Sequence, residues 1–268
     1  MTNKYEILTN RVIITLKGPE RQSLLQGIIT NNTDRINGTD AVYAAILTPQ
    51  GKYLYDFFLF ETDETIYLDC EKSSLTKLFQ KLLMYRLRSN VEIIDQSEKY
   101  IVLSSDEKQH GISFIDPRHS EMGYRSILEK SPDGVAVEEY HERRISLGIA
   151  EGTNDYIPEK SIILEGHFED LNGVDFEKGC YVGQEVIARM KYRRKIKKQM
   201  FPVKLNGAAP EFGTDIIDNN GNKVGDIRSN AGGFAIALFR IDKMEMGKSY
   251  DCGDIQVTPF KPNWISNE

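Results

Sequence analysis

The stretch Lys178-Gly179-Cys180-Tyr181-Val182-Gly183-Gln184-Glu185-Val186-Ile187-Ala188-Arg189 is the densest unusual segment of the chain. Two glycines bracket a Cys-Tyr pair, and a helical pattern begins at Gln184. Glycine permits positive φ and close backbone approach, so the spacing predicts a tight turn that feeds a helix. A cysteine there, beside Lys178 and near a helix N-terminus, is biased toward thiolate. Such a thiol serves as a nucleophile, a redox sensor or a metal-cluster ligand. The bland alternative is a buried cysteine that fills a turn.

Outward from this segment the pattern changes on both sides. After about residue 199 no helical period appears. Short strand-like runs at 200–205, 215–218, 223–228, 234–239 and 256–260 are separated by turn sequences such as Asn219-Asn220-Gly221-Asn222 and Asn230-Ala231-Gly232-Gly233. That reads as a small all-β barrel or sandwich. Upstream, 150–183 is irregular, and 135–147 reads as a helix stopped by Gly148. Residues 11–16 read as a strand, and Gly18-Pro19 opens a helix whose apolar face is Leu24, Leu25, Ile28 and Ile29. Strands at 41–47 and 53–60 flank the turn Thr48-Pro49-Gln50-Gly51, and another follows at 65–70. The clearest helix is 73–88, with Leu75, Leu78, Phe79, Leu82 and Leu83 at the 3.6-residue period. It ends in Arg86 and Arg88, which suit the negative end of the helix dipole. Strands at 91–95, 99–104 and 112–115 complete an α+β module.

Composition bounds the function. The chain has 268 residues, enough for two domains or three small ones. Hydrophobic residues are 40% and charged residues 28%, which excludes a disordered, collagenous or low-complexity chain. The apolar runs fall far short of the ~20 residues of a spanning helix, so no membrane partner is expected. No apolar stretch follows the N-terminus, so the expected location is cytoplasmic. Cys70, Cys180 and Cys252 form no C-x-x-C pair, which argues against a disulfide framework or zinc knuckle. His141-Glu142 fails the H-E-x-x-H pattern at Ile145, and no metal site is expected. The formal net charge is -6, yet Arg189, Lys191, Arg193, Arg194, Lys195, Lys197 and Lys198 form a basic run without an acid. Such a run suits phosphates, a polyanionic tail or an acidic partner, or is simply a solvated helix end. The acidic bulk argues against nucleic acid as the main partner.

The Lys178 to Arg189 run resembles the signature of the YgfZ family, folate-binding proteins linked to iron–sulfur cluster maturation. Further stretches fit the same family: Arg11 to Gly18, Leu25-Gln26-Gly27, Thr30-Asn31, Leu47 to Lys52 with Asp56, Tyr85 to Arg88, Asp116-Pro117-Arg118, Gly123-Tyr124-Arg125, Arg144 to Gly148 and the glycine-rich hairpin that ends at Arg240. The family is similar in fold to the aminomethyltransferase (T-protein) of the glycine cleavage system. The resemblance implies an α+β, three-domain T-protein-like fold around a central folate cavity, with a small C-terminal β-barrel. Residues 1–40 and 135–198 would form a discontinuous first domain, 41–134 a ferredoxin-like α+β module and 199–268 the barrel. It also implies tetrahydrofolate or a one-carbon derivative as cofactor, and iron–sulfur client or assembly proteins as partners.

Carried onto this chain, the resemblance makes Cys180 the functional thiol, with Lys178, Gln184 and Glu185 around it and Asp56 at the first hairpin. A pterin wants an apolar or aromatic wall and a few aimed hydrogen bonds. The resemblance offers Tyr140, Tyr181 and Arg11 for that role. The anionic folate tail wants arginine, for which Arg118, Arg144 and Arg189 are candidates. Each has a bland counterpart: Tyr140 as packing, each arginine as a surface ion pair. Three departures shape the reading. Asn32 stands where the family usually has Asp. Tyr55-Asp56 replaces the paired acids of T-proteins, which manage protons there by general acid–base chemistry. T-proteins lack the Cys180 signature. The expectation is therefore a folate-dependent accessory factor for iron–sulfur proteins. The alternatives are an aminomethyltransferase-like one-carbon transferase and an interaction module whose basic run grips a client or RNA.

Overall fold

The computed structural model describes residues 4–36, 38–129, 131–193 and 195–266. The chain divides into two compact units, Met1–Glu138 with Leu171–Gln184, and Glu139–Asp170 with Glu185–Glu268. Both are discontinuous, and each builds its own core.

In the first unit, one five-stranded sheet orders its strands Val42–Leu47, Tyr53–Thr62, Thr65–Glu71, Arg11–Lys17 and Glu92–Asp95. The strand Arg11–Lys17 thus lies inside the sheet made by the 41–134 segment, pairing Ile13 with Asp69 and Leu16 with Ile93. Alternation along each strand sorts its two faces. On one face Ile14, Leu16, Ala44, Phe57, Ile66, Leu68 and Cys70 form a dry core with Leu24 and Leu25 of the helix Arg21–Gln26 and Leu78 and Leu82 of the helix Leu75–Arg86. Burial of each such leucine contributes roughly 1.5–3 kcal/mol. On the other face the registered row Tyr43, Phe58, Asp69 and Ile13 looks toward a second sheet. That sheet orders Val135–Ala136, Lys4–Ile7, Ile101–Ser105, Tyr124–Leu128 and Ile112–Ile115.

In the second unit, Lys198–Leu205, Phe234–Arg240, Lys223–Ala231, Asp215–Ile217, Tyr250–Cys252 and Ile255–Pro259 close into a six-stranded barrel. Antiparallel pairing of Val203 with Pro259 and Leu205 with Val257 shuts the seam. The barrel is filled by Val203, Ile216, Val224, Ile227, Ala237, Phe239, Tyr250 and Val257. Full closure leaves no exposed sheet edge. The mixed α+β class and the C-terminal barrel agree with the sequence reading.

The structure differs from expectation where local pattern met tertiary pairing. The helix expected over 135–147 starts only at Tyr140, because Val135 and Ala136 pair in parallel with Lys4 and Tyr5 at a sheet edge. The helix expected over 73–88 ends at Arg86, where Leu87 leaves helical geometry. The strands Lys4–Ile7 and Tyr250–Cys252 are short, and in Tyr124–Leu128 the adjacent polar Arg125 and Ser126 break the alternation that announces a strand.

Candidate functional site

Cys180 lies on the first unit's returning segment, Leu171–Gln184. The segment is irregular, so its polar backbone needs partners from elsewhere. Thr30 and Asn31 supply several. The Thr30 hydroxyl donates to the Gly173 carbonyl at 2.7 Å and accepts from the Ala45 N–H at 2.8 Å. The Asn31 side-chain amide donates to the carbonyls of Tyr43 and Asn172 at 2.8 and 2.6 Å. Asp175 then accepts the N–H groups of Glu177 and Lys178 at 2.8 and 3.2 Å, which sets the turn before the cysteine.

Lys178 is the clamp. Its ammonium donates to the carbonyls of Gln26, Ile29 and Asn31 at 2.8, 2.8 and 2.6 Å. An ammonium has three N–H donors, so each finds a backbone acceptor left open after the first helix. Burial pushes Lys178 down to about 8, against the pull of Asp175 and Asp34. Lys178 therefore holds the loop, with no donor remaining for a thiolate.

Gly183 seats the other end. It sits at φ +86, and a Cβ there would meet the Thr48 carbonyl oxygen at 2.6 Å. Only glycine allows the loop to pack on the Thr48–Gly51 hairpin turn. Gly179 has open space around it, so the expected need for glycine at both ends holds at Gly183 alone. Between them Cys180 is exposed, while Cys70 and Cys252 are buried. Burial pushes the Cys70 thiol up to about 12 and the Cys252 thiol up to about 11. Tyr181 is buried beside the exposed thiol, and its hydroxyl has no hydrogen-bond partner. Burial, then Asp175, raises its pKa. Gln184 is half-buried and reaches the Lys178 carbonyl at 3.5 Å; Glu185 is exposed in the first turn of the helix Gln184–Tyr192.

The row Tyr43, Phe58, Asp69 carries a different cluster. Asp69 accepts from Arg11 Nε at 2.7 Å and from Arg125 Nη2 at 2.8 Å. Arg11 also donates to the Asp69 carbonyl at 2.7 Å. Arg118 forms a two-point bond with Asp116, at 3.0 and 2.7 Å. Arg125 lies 3.7 Å from Asp116, which joins the two pairs. The guanidinium groups of Arg11, Arg118 and Arg125 stand 5.4, 4.8 and 4.0 Å from the Phe58 ring centre. All five charged groups are buried. Asp56, on the same face, is 2% exposed and accepts from the hydroxyls of Tyr43 and Tyr53 at 2.8 and 2.7 Å.

The second unit has its own charge knot. Arg144, 0% exposed, donates to Asp155 at 2.7 Å, to the Ile149 carbonyl at 2.9 Å and to Ser229 at 2.9 Å. Asp155 accepts from Ser229 in turn, which ties the helix Tyr140–Ser146 to the barrel. Tyr140 is buried and donates its hydroxyl to Glu151. Arg189 is exposed on the helix Gln184–Tyr192. Arg11, Arg118 and Arg144 are thus buried pairs rather than the surface pairs set against them. Of their partners, Asp116 stands two residues from Arg118 in a stretch already singled out, whereas Asp69 and Asp155 lacked any local signal. Arg194 of the basic run lies outside the described residues. Among the described residues no three His, Cys, Asp or Glu side chains come together to hold a metal.

The CAF17 C-terminal beta-barrel domain matches residues 197–267. The chain is 29% identical to the mitochondrial iron–sulfur cluster assembly factor IBA57 of Mus musculus, over 96% of this chain and 84% of that protein. It is 32% identical to the IBA57 homologue of Neurospora crassa over 78% of this chain and 55% of that one, and 29% identical to the Homo sapiens protein over 89% and 78%. Over most of its length the chain is similar to the IBA57 proteins. That supports a YgfZ-type family, without singling out its member. In structure the chain resembles the glycine cleavage system aminomethyltransferase T from Bartonella henselae, with a TM-score of 0.81 over 98% of this chain and 86% of that one. At 12% identity this likeness establishes the T-protein fold alone.

One expectation is overturned. The cytoplasmic location does not stand, because the IBA57 relatives are named as mitochondrial proteins. A missing apolar stretch bears only on secretion. Organelle targeting uses Arg- and Ser-rich amphipathic segments instead. Among the described residues no helix is long and apolar enough to cross a membrane.

Proposed function

We propose that this chain acts in iron–sulfur cluster assembly as a tetrahydrofolate-dependent factor whose working group is the Cys180 thiol. The observation that carries the reading is the exposed thiol, on a loop clamped by Lys178, in a chain similar along nearly its whole length to proteins named as assembly factors. An exposed cysteine on a rigid loop is placed to meet an assembly or client protein. Gln184 and Glu185 follow it at the mouth of the helix.

For the folate, the residues divide by what they already hold. The buried Tyr181 hydroxyl lacks a partner and suits the polar edge of a pterin. Arg189, in the second unit, is exposed with no ion pair among the described residues, so it has not been matched by the fold. Arg11, Arg118 and Arg144 already face carboxylates of the chain itself, and Tyr140 faces Glu151. A folate reaching those groups would displace internal partners. When bound, a folate supplies a carrier for one-carbon units.

The second reading, a one-carbon transferase, draws on the T-protein fold. Asp56 weighs against it, because its two oxygens already accept from Tyr43 and Tyr53. Calorimetric titration with tetrahydrofolate and its one-carbon forms tests the cofactor. Binding with a rise in melting temperature supports the proposal; no heat and no shift at concentrations far above micromolar removes the folate. Complementation with Cys180→Ala tests the thiol: client iron–sulfur enzymes lose activity if the proposal holds, and keep it if the thiol is idle.

A further inference from the structure

The helix Leu75–Arg86 buries Leu78 and Leu82 in the first unit's core. Its far side is unusual in charge. From Lys72 to Val91 the chain carries Lys72, Lys77, Lys81, Arg86 and Arg88 and no acid, although the whole chain is net acidic. None of these five is in a salt bridge among the described residues. At the C-terminal end the same side exposes Leu83, Met84 and Leu87, the last at 84%.

Leu87 is the informative residue. It ends the helix at φ 43, ψ -106, a backbone conformation that only glycine enters without strain. The position is tightly held. Asn90 donates its N–H to Glu20 at 2.6 Å, and Ser89 donates to the Arg86 carbonyl at 2.7 Å. A branched side chain there bears backbone strain and is also left in water. Neither packing nor local propensity explains a leucine at this turn. Leu87, Arg88, Ser89 and Glu20 line a shallow open concavity beside it.

We infer that the Leu83–Met84–Leu87 knob, ringed by Lys77, Lys81, Arg86 and Arg88, docks an acidic protein surface that has a leucine-sized apolar socket. Charge complementarity selects the acidic partner, and the stiff projecting leucine selects the socket. A membrane fits less well. An interfacial helix lays a continuous apolar face into lipid, whereas this helix has committed that face to its own core. The inference is independent of folate and of Cys180.

The test uses the intact protein and a synthetic helical peptide built of Glu and Leu heptads, followed by fluorescence anisotropy. The wild type is expected to bind it, more weakly as salt rises from about 50 to about 300 mM. Leu87→Gly is expected to lose binding by about tenfold or more, while its melting temperature holds or rises as the strain is relieved. Arg86→Glu with Arg88→Glu is expected to abolish the salt dependence along with binding. Equal affinity across these variants overturns the inference. So does Leu87-dependent capture by phosphatidylglycerol vesicles without peptide binding, or Leu87-dependent self-association in sedimentation.

Discussion

The Cys180 loop and the Arg11–Asp69–Arg125–Asp116–Arg118 cluster lie in the same unit, and each holds residues the sequence offers for a site, yet they are built on opposite plans. In the cluster every charge meets an opposite charge or a ring, and water is excluded. In the loop the flanking residues Lys178 and Tyr181 are buried so that the thiol between them is presented outward. The lesson is that a charged residue is available for a ligand only if the fold has not already matched it. A small reactive group on an anchored loop stays available by geometry.

The sharpest way to break this contrast is at Asp69, which answers both Arg11 and Arg125. Asp69→Asn leaves two buried guanidinium groups short of a counter-charge and is expected to destabilise the first unit by about 3–5 kcal/mol, read from urea unfolding. A loss below ~1 kcal/mol would mean that the cluster is wet and open. Next comes Lys178→Met, which strips the donor from three carbonyls. It is expected to cost about 2 kcal/mol and to speed proteolysis of the Leu171–Gln184 segment, with little change in the barrel.

An effect that shows only against pH sits at Cys70. Its thiol is pushed up to about 12 from an ordinary 9 by burial, so the unfolded chain releases the proton first. The stabilising contribution is complete below pH 9 and is lost progressively as pH rises toward 12. Urea midpoints measured on both sides of pH 9 should fall more steeply for the wild type than for Cys70→Ala; parallel slopes would contradict the burial argument. Smallest of all is the stability effect of Cys180→Ala, expected within ~0.5 kcal/mol because the residue is exposed. Limiting iodoacetamide, read by mass spectrometry, should nonetheless mark Cys180 first and Cys70 and Cys252 only after unfolding. Slowest labelling at Cys180 would erase the contrast.

Much of the architecture was legible in local pattern. The turns at Asn219–Asn222 and Asn230–Gly233 and the alternation around them announced the barrel, and the period from Leu75 to Leu83 announced the long helix. The Lys178–Arg189 signature pointed to the loop and its thiol. These features depend on neighbours in sequence, so period and turn chemistry expose them. Pairing across the fold was decided elsewhere. Arg11 finds Asp69 across 58 positions, Arg125 finds it across 56, and Lys178 reaches Ile29 across 149. Nothing near Arg11 or Arg144 in the sequence distinguishes a buried ion pair from a ligand for a folate tail. Strand register makes that choice: it places Asp69 opposite Ile13 and turns it away from the core face that holds Cys70. A side chain's partner is set by which faces the backbone brings together, and that is a property of the assembled sheets alone.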